Sequence, residues 1–183
     1  MTSVFIGGSR SVSRMNSVIR ERLDDFVRRG CTFFVGDANG ADKAVQKHLA
    51  DRGYKNVVVY CANECRNNIG GWETRQVSVP TGTTGFAYYA AKDLAMAEDA
   101  KCGVMLWDGK SKGTLNNVQN LIGRGKKTLV YFVPTRKFYK LSSFSDLREL
   151  LAHCSRTDVE DAQRQIKAKL SPSGHQLTLH SSR

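Results

Sequence analysis

The sequence predicts an α/β fold, a doubly wound parallel sheet with helices on both faces and a helical C-terminal extension. Three observations carry this reading. Five short apolar runs recur before residue 135. Segments with helical spacing of apolar residues separate them, and strands that alternate with helices build parallel sheets. Three of the runs end in loops of glycine and polar residues, at what would be the carboxyl edge of such a sheet.

Val4-Phe5-Ile6 is the first strand and ends in Gly7-Gly8-Ser9-Arg10. Ser13 is the expected N-cap of a helix with Met15, Val18, Ile19, Leu23, Phe26 and Val27 on one face, closed by Arg28-Arg29-Gly30. Thr32-Phe33-Phe34-Val35 is the second strand, and Gly36-Asp37-Ala38-Asn39-Gly40-Ala41-Asp42 the second loop. A helix with Ala41, Ala44, Val45, His48 and Leu49 inward runs to Gly53, and Val57-Val58-Val59-Tyr60 is the third strand. From Ala62 to Gly85 the periodicity is lost. So long a stretch predicts a functional flap near the strand ends or, alternatively, a disordered insertion. Phe86 to Asp99 is an alanine-rich helix. Val104-Met105-Leu106-Trp107 is the fourth strand, Asp108 to Thr114 the third loop, and Leu115, Val118, Leu121 and Ile122 mark the helix that follows. Thr128-Leu129-Val130-Tyr131-Phe132 is the fifth strand, stopped by Pro134. Two helices follow, over Ser145 to Leu151 and from Thr157-Asp158-Val159-Glu160, a capping-box pattern, to about Leu170. From Ser171 the chain reads as a polar tail. These elements divide the chain into a sheet domain, 1–134, and an extension, 135–183.

Composition bounds the function. The apolar share of 40% and charged share of 25% are those of a soluble globular protein. No apolar run is long enough for a membrane span, and the N-terminus lacks a signal-peptide pattern. The net charge of +11 points to anionic partners such as nucleotides, nucleic acid or anionic lipid. Five scattered cysteines suggest a reducing, cytoplasmic setting. Cys61 and Cys65 have no second pair to complete a metal set, and the four histidines are isolated, so neither a metal nor a cofactor is expected.

The three loops carry the chemistry. Strand, small polar loop and helix N-terminus in that order make an anion site, because first-turn N–H groups and the helix dipole both favour negative charge. The phosphate- or nucleotide-binding candidates are therefore Gly7, Gly8, Ser9 and Arg10; Gly36, Asp37, Gly40 and Asp42; and Gly109, Lys110, Ser111, Lys112, Gly113 and Thr114. Arg10 has the planar donor set that matches a phosphate. Asp37 can accept from ribose hydroxyls, while Asp42 either serves the site or simply favours its helix dipole. Asp108 can accept from ribose or act as a nucleophile or base. Glu73 and Glu98 are the other carboxylates within reach of the cleft, Glu98 reading rather as a solvated helix residue. Trp72 either stacks on a base or anchors the loop, and Tyr88 and Tyr89 read as core or interface.

The ordered trio Gly7-Gly8-Ser9-Arg10, Gly36 to Asp42 and Trp107-Asp108-Gly109-Lys110-Ser111-Lys112-Gly113-Thr114 resembles the SLOG superfamily, in particular its YspA/YpsA-like branch, over about residues 3 to 133. The resemblance implies a Rossmann-like fold and a site for nucleotides or nucleotide-derived ligands, as in a ligand sensor. The related LOG group are phosphoribohydrolases that cleave the N-glycosidic bond of nucleoside monophosphates, which is the alternative function, as a hydrolase or transferase. The LOG catalytic glutamate falls on Asn117, and its arginine-lysine pair falls near Lys92-Asp93, ahead of Met96; Lys92 thus joins the candidate nucleotide-binding residues. An amide cannot serve as a carboxylate base, so an enzyme would have to use Asp108 or Glu73. The DprA group, also related, binds single-stranded DNA, a further alternative that suits the positive charge. LOG-like relatives dimerise, and the Phe86–Met96 helix is the expected homodimer face.

Overall fold

The structure, a computed structural model, describes residues 1–170; the polar tail expected from Ser171 lies outside them. The strands are β1 (Ser3–Gly8), β2 (Thr32–Gly36), β3 (Val57–Ala62), β4 (Glu73–Val77), β5 (Cys102–Trp107), β6 (Thr128–Phe132) and β7 (Lys137–Leu141). The helices are α1 (Ser17–Arg28), α2 (Ala41–Asp51), α3 (Gly85–Asp99), α4 (Lys112–Gly123), α5 (Phe144–Leu151) and α6 (Arg156–Leu170). They form one seven-stranded sheet in the order β4-β3-β2-β1-β5-β6-β7, parallel except for β7 against β6. The predicted α/β architecture is therefore present, with two strands more than expected.

Both extra strands are edges. Only the last of β4's residues is even partly buried, and β7 carries Lys137 and Lys140 on its exposed positions. Short, charged edge strands resist pairing with other chains, and the same polarity removes the apolar signal by which a strand is read. β7 lies in the extension expected to be wholly helical, so the sheet continues beyond residue 134. The segment after Ala62 is ordered. Gln46, fully buried, donates to the carbonyls of Gly36 (2.9 Å) and Asn67 (3.1 Å) and accepts from Ile69 N–H (3.0 Å). Trp72 anchors this segment: its ring is buried in the core and its Nε1 donates to the Tyr54 carbonyl at 2.8 Å. Cys61 and Cys65 are joined by a disulfide across the turn that follows β3, where the sequence suggested reduced thiols.

Two cap assignments shift. Asn16, not Ser13, caps α1 by accepting from Ile19 N–H at 3.0 Å. Ser155, not Thr157, accepts from Asp158 N–H at 3.2 Å at the start of α6. Among the described residues no helix is long and apolar enough to cross a membrane, and no cluster of three His, Cys, Asp or Glu is placed to hold a metal.

Alternation along the central strands divides the core. Val4 and Ile6 of β1, with Val104 and Leu106 of β5, pack with α1 and α2 residues such as Leu23 and Leu49. Phe5, Met105 and Trp107 pack on the other face with Met96 of α3 and Leu115 and Val118 of α4. The chain advances from β1 outward to β4, then returns to lay β5 on the opposite side of β1. This reversal leaves a crevice at the carboxyl ends of β1 and β5, where open α/β sheets bind ligands.

Candidate functional site

A cleft of about 460 Å³ occupies that crevice. Of the predicted residues, Gly7, Gly8, Arg10, Asp42, Lys92, Asp108, Ser111, Gly113 and Thr114 line it. Ser9, Gly36, Asp37 and Gly40 are not among its lining residues. Gly109, Lys110 and Lys112 are not among its lining residues, and Lys110 is exposed.

The glycines are fixed by close approach. A Cβ on Gly8 would come within 2.3 Å of the Leu106 carbonyl oxygen, and one on Gly36 within 2.4 Å of Asp42 Oδ2. Gly40 has φ +84°, and a Cβ there would meet the Arg10 backbone at 2.3 Å, so only glycine lets the second loop brace the first. A Cβ on Gly113 meets nothing within 4 Å. It lines the cleft in the first turn of α4, where N–H groups lack helical partners.

Asp108 is a structural hub. Its carboxylate accepts from Ser9 Oγ (2.9 Å), Ser11 Oγ (2.6 Å), Lys110 N–H (3.0 Å) and Ser111 N–H (2.8 Å). Burial opposes its charge, but these donors prevail and hold its carboxyl below the usual range. Ser9 is itself fully buried and also accepts from Asp108 N–H at 3.1 Å. The first and third loops are thus tied together by side chains that were expected to face a ligand. Asp108, expected from the sequence to act on a ligand, lines the cleft while its carboxylate ties the loops together. Glu73 opens β4 opposite Val58, at the amino end of an exposed edge strand, and is not among the residues that line the cleft.

Asp37 is likewise engaged. It accepts from Arg66 Nε (3.0 Å), Nη2 (2.7 Å) and backbone N–H (3.1 Å). Burial raises its pKa, yet the Arg66 bonds outweigh burial and hold it low. Arg66 sits in the segment between β3 and β4 and was not singled out from the sequence. Its guanidinium also lies 4.8 Å from the Tyr89 ring, and Arg10 lies 5.5 Å from the same ring. Tyr89 and Arg66 line both the main cleft and a second cavity of about 400 Å³, which Tyr88 also lines.

Beneath the cleft is a buried charge network. Lys92 Nζ lies 2.8 Å from Asp93 Oδ1, 3.9 Å from Asp37 Oδ1 and 4.0 Å from Asp42 Oδ2. Burial disfavours the Lys92 ammonium, but the carboxylates outweigh it and raise its pKa. For Asp42 burial prevails over Lys92 and pushes the carboxyl up to about 6. Asp93 Oδ2 accepts from Asn117 Nδ2 at 2.9 Å. Asn117 is 6% exposed, and its Oδ1 has no hydrogen-bond partner among the described residues.

The sequence assigns the cleft Arg10, Lys110 and Lys112 against Asp37 and Asp108. In the structure the two lysines are not among its lining residues; the exposed Arg10, with Arg66 and Lys92, lines it together with the carboxylates of Asp42, Asp93 and Asp108.

No family model matches the chain. No curated protein matches it either. Among solved structures it is similar to DNA processing protein A from Helicobacter pylori, with a TM-score of 0.57 and 13% identity over 91% of this chain and 81% of that one. That structure concerns the protein's single-stranded DNA binding mode. At this identity the likeness is one of fold.

Proposed function

We propose that the protein is a SLOG-type nucleotide-binding protein whose cleft takes a nucleoside phosphate, with the phosphate at the mouth. The observation that carries this is Arg10. It lines the same cleft as Gly113 of the first turn of α4, its guanidinium lies 5.5 Å from the Tyr89 ring, and among the described residues no carboxylate forms an ion pair with it. The other cleft cations, Arg66 and Lys92, are paired to carboxylates. Charge-assisted bonds of a phosphate to Arg10 are worth about 1.5–3 kcal/mol. Arg10→Ala should therefore weaken a nucleoside 5′-monophosphate by about 10- to 100-fold and leave the free nucleoside nearly unaffected. Calorimetry of both ligands against both proteins tests this; equal losses would mean that Arg10 is structural and the phosphate lies elsewhere.

Binding rather than glycosidic cleavage suits the engaged carboxylates, since Asp37, Asp93 and Asp108 are all held by donors. A second reading, single-stranded nucleic acid, is favoured by the second cavity across the Arg66–Tyr89 contact, which gives room for a neighbouring nucleotide beside two tyrosines. It is supported by what the similar Helicobacter protein binds and by the charge of +11. Binding of oligonucleotides that is much tighter than that of mononucleotides, and falls steeply with salt, distinguishes it.

A further inference from the structure

We propose that the Cys61–Cys65 bridge is a redox switch on the cleft: the disulfide holds Arg66 in the cleft wall, and reduction by a dithiol releases it. The effect on ligand affinity rests on the nucleotide reading above; the release of Arg66 does not.

The bridge stands where the site is built. Cys61 is fully buried near the carboxyl end of β3, and Cys65 immediately precedes Arg66. The N–H of the peptide unit that joins Cys65 to Arg66 donates to Asp37 Oδ2 at 3.1 Å, beside the two guanidinium bonds to the same carboxylate. The position of Cys65 thus sets where Arg66 meets Asp37. Arg66 in turn lines both cavities and lies against the Tyr89 ring, which lines both as well. Downstream the chain has an anchor of its own. Asn67 Nδ2 donates to the Asp37 carbonyl at 2.7 Å, and Gln46 donates to the Asn67 carbonyl. Loss of the bridge therefore loosens residues 62–66 and leaves β4 in place.

The bridge suits control better than support. A loop this short constrains the unfolded chain little, so the bridge is a weak staple. The other three cysteines are free thiols, so the chain is not a disulfide scaffold. Within the bridged turn Asn63 has φ +58°, a left-handed conformation that costs an L-residue free energy and that an untied turn leaves. A reductant can enter from one side only: Cys61 is fully buried, whereas Cys65 is half-buried. The thiolate of the dithiol attacks Cys65 Sγ, and the Cys61 sulfur leaves and takes up a proton. The second thiol of the reductant then displaces Cys65 and closes its own disulfide, so two electrons and two protons pass to the protein.

The test is limited digestion of the full-length protein by trypsin after treatment with oxidised or reduced dithiothreitol, read by mass spectrometry. Alkylation of a parallel sample should count three thiols in the bridged protein and five in the reduced one. Cleavage after Arg66 should be about tenfold faster in the reduced protein, because an untied turn opens more often. Cleavage after Arg28 of α1 should not change. Cys65→Ser should behave as the reduced protein under both treatments, and the wild-type arms stand by themselves should the variant misfold. By calorimetry the reduced protein should bind AMP about threefold more weakly, because a smaller fraction of molecules has Arg66 in place. Equal cleavage after Arg66 in the two states, equal acceleration after Arg28, or failure of the bridge to form in the oxidised sample overturns the proposal and leaves the nucleotide reading intact. Faster cleavage with unchanged AMP affinity overturns the control of binding. Absence of AMP binding in both states overturns the nucleotide reading, and cleavage after Arg66 then decides the switch alone.

Discussion

Replacing Asp42 by Asn should change how stability responds to pH. Asp42 is buried under the cleft, and burial lifts its carboxyl from an ordinary 3.8 to about 6 in spite of Lys92. The folded chain thus holds this proton more tightly than the unfolded chain. The resulting stabilisation is complete below about pH 4 and is lost as pH rises through 6. A gap of about 2 pH units corresponds to about 3 kcal/mol. Asparagine does not titrate, so the stability of the variant relative to wild type should climb by about 3 kcal/mol between pH 4 and pH 7. Asp37 and Asp108 act in the opposite sense: their carboxyls are held low, so their contribution is lost as pH falls. Both are common to the two proteins and largely cancel in the difference. Urea midpoints at pH 4, 5, 6 and 7 read it out. A flat difference would show that Lys92 compensates Asp42 fully and that burial does not dominate its ionisation.

Two further predictions concern the loops. Gly8→Ala should destabilise the fold by about 1–3 kcal/mol, because its Cβ meets a backbone carbonyl and the β1–β5 spacing must open, whereas Gly113→Ala should leave the urea midpoint unchanged and weaken the phosphorylated ligand. Unaltered stability in the first variant, or unaltered binding in the second, would refute the respective assignment. Reduction of the Cys61–Cys65 bridge, which closes a loop of about five residues, should cost about 2 kcal/mol and lower Tm by about 4–8 °C in a thermal scan; an unchanged Tm would refute it.

What the sequence reveals of the fold follows burial. The five interior strands are apolar because helices cover both faces of the sheet, and all were legible. The edges β4 and β7 were not, because an edge strand with Arg75 or Lys140 facing water looks like a loop. The site divides in the same way. Loops such as Gly7 to Arg10 were visible because close backbone approach restricts residue type, and glycine records that restriction. Which polar residues face the cleft was not visible. Ser9 and Asp108 have the composition of ligand-binding residues, but they spend their donors and acceptors on each other. Arg66 and Tyr89 reach the cleft from a segment without periodicity and from a helix whose tyrosines look like core. Only the contact map separates a polar side chain that binds the protein from one that awaits a ligand.

Asn117 of α4 and Asp93 of α3 touch each other through Asn117 Nδ2 and Asp93 Oδ2 at 2.9 Å. They are complementary, an amide donor against a carboxylate, so changing one side alone should be harmful. Asn117→Glu brings a second carboxylate against Asp93 in a site that is 6% exposed at residue 117, and should cost about 3 kcal/mol. Asp93→Lys sets an ammonium beside Lys92 and removes the acceptor of Asn117. Together the substitutions restore an opposite-charge pair, so the double variant should be more stable than the sum of the singles by about 2 kcal/mol. Urea unfolding of the four proteins closes the cycle. Additivity within about 0.5 kcal/mol would show that the two positions are energetically independent.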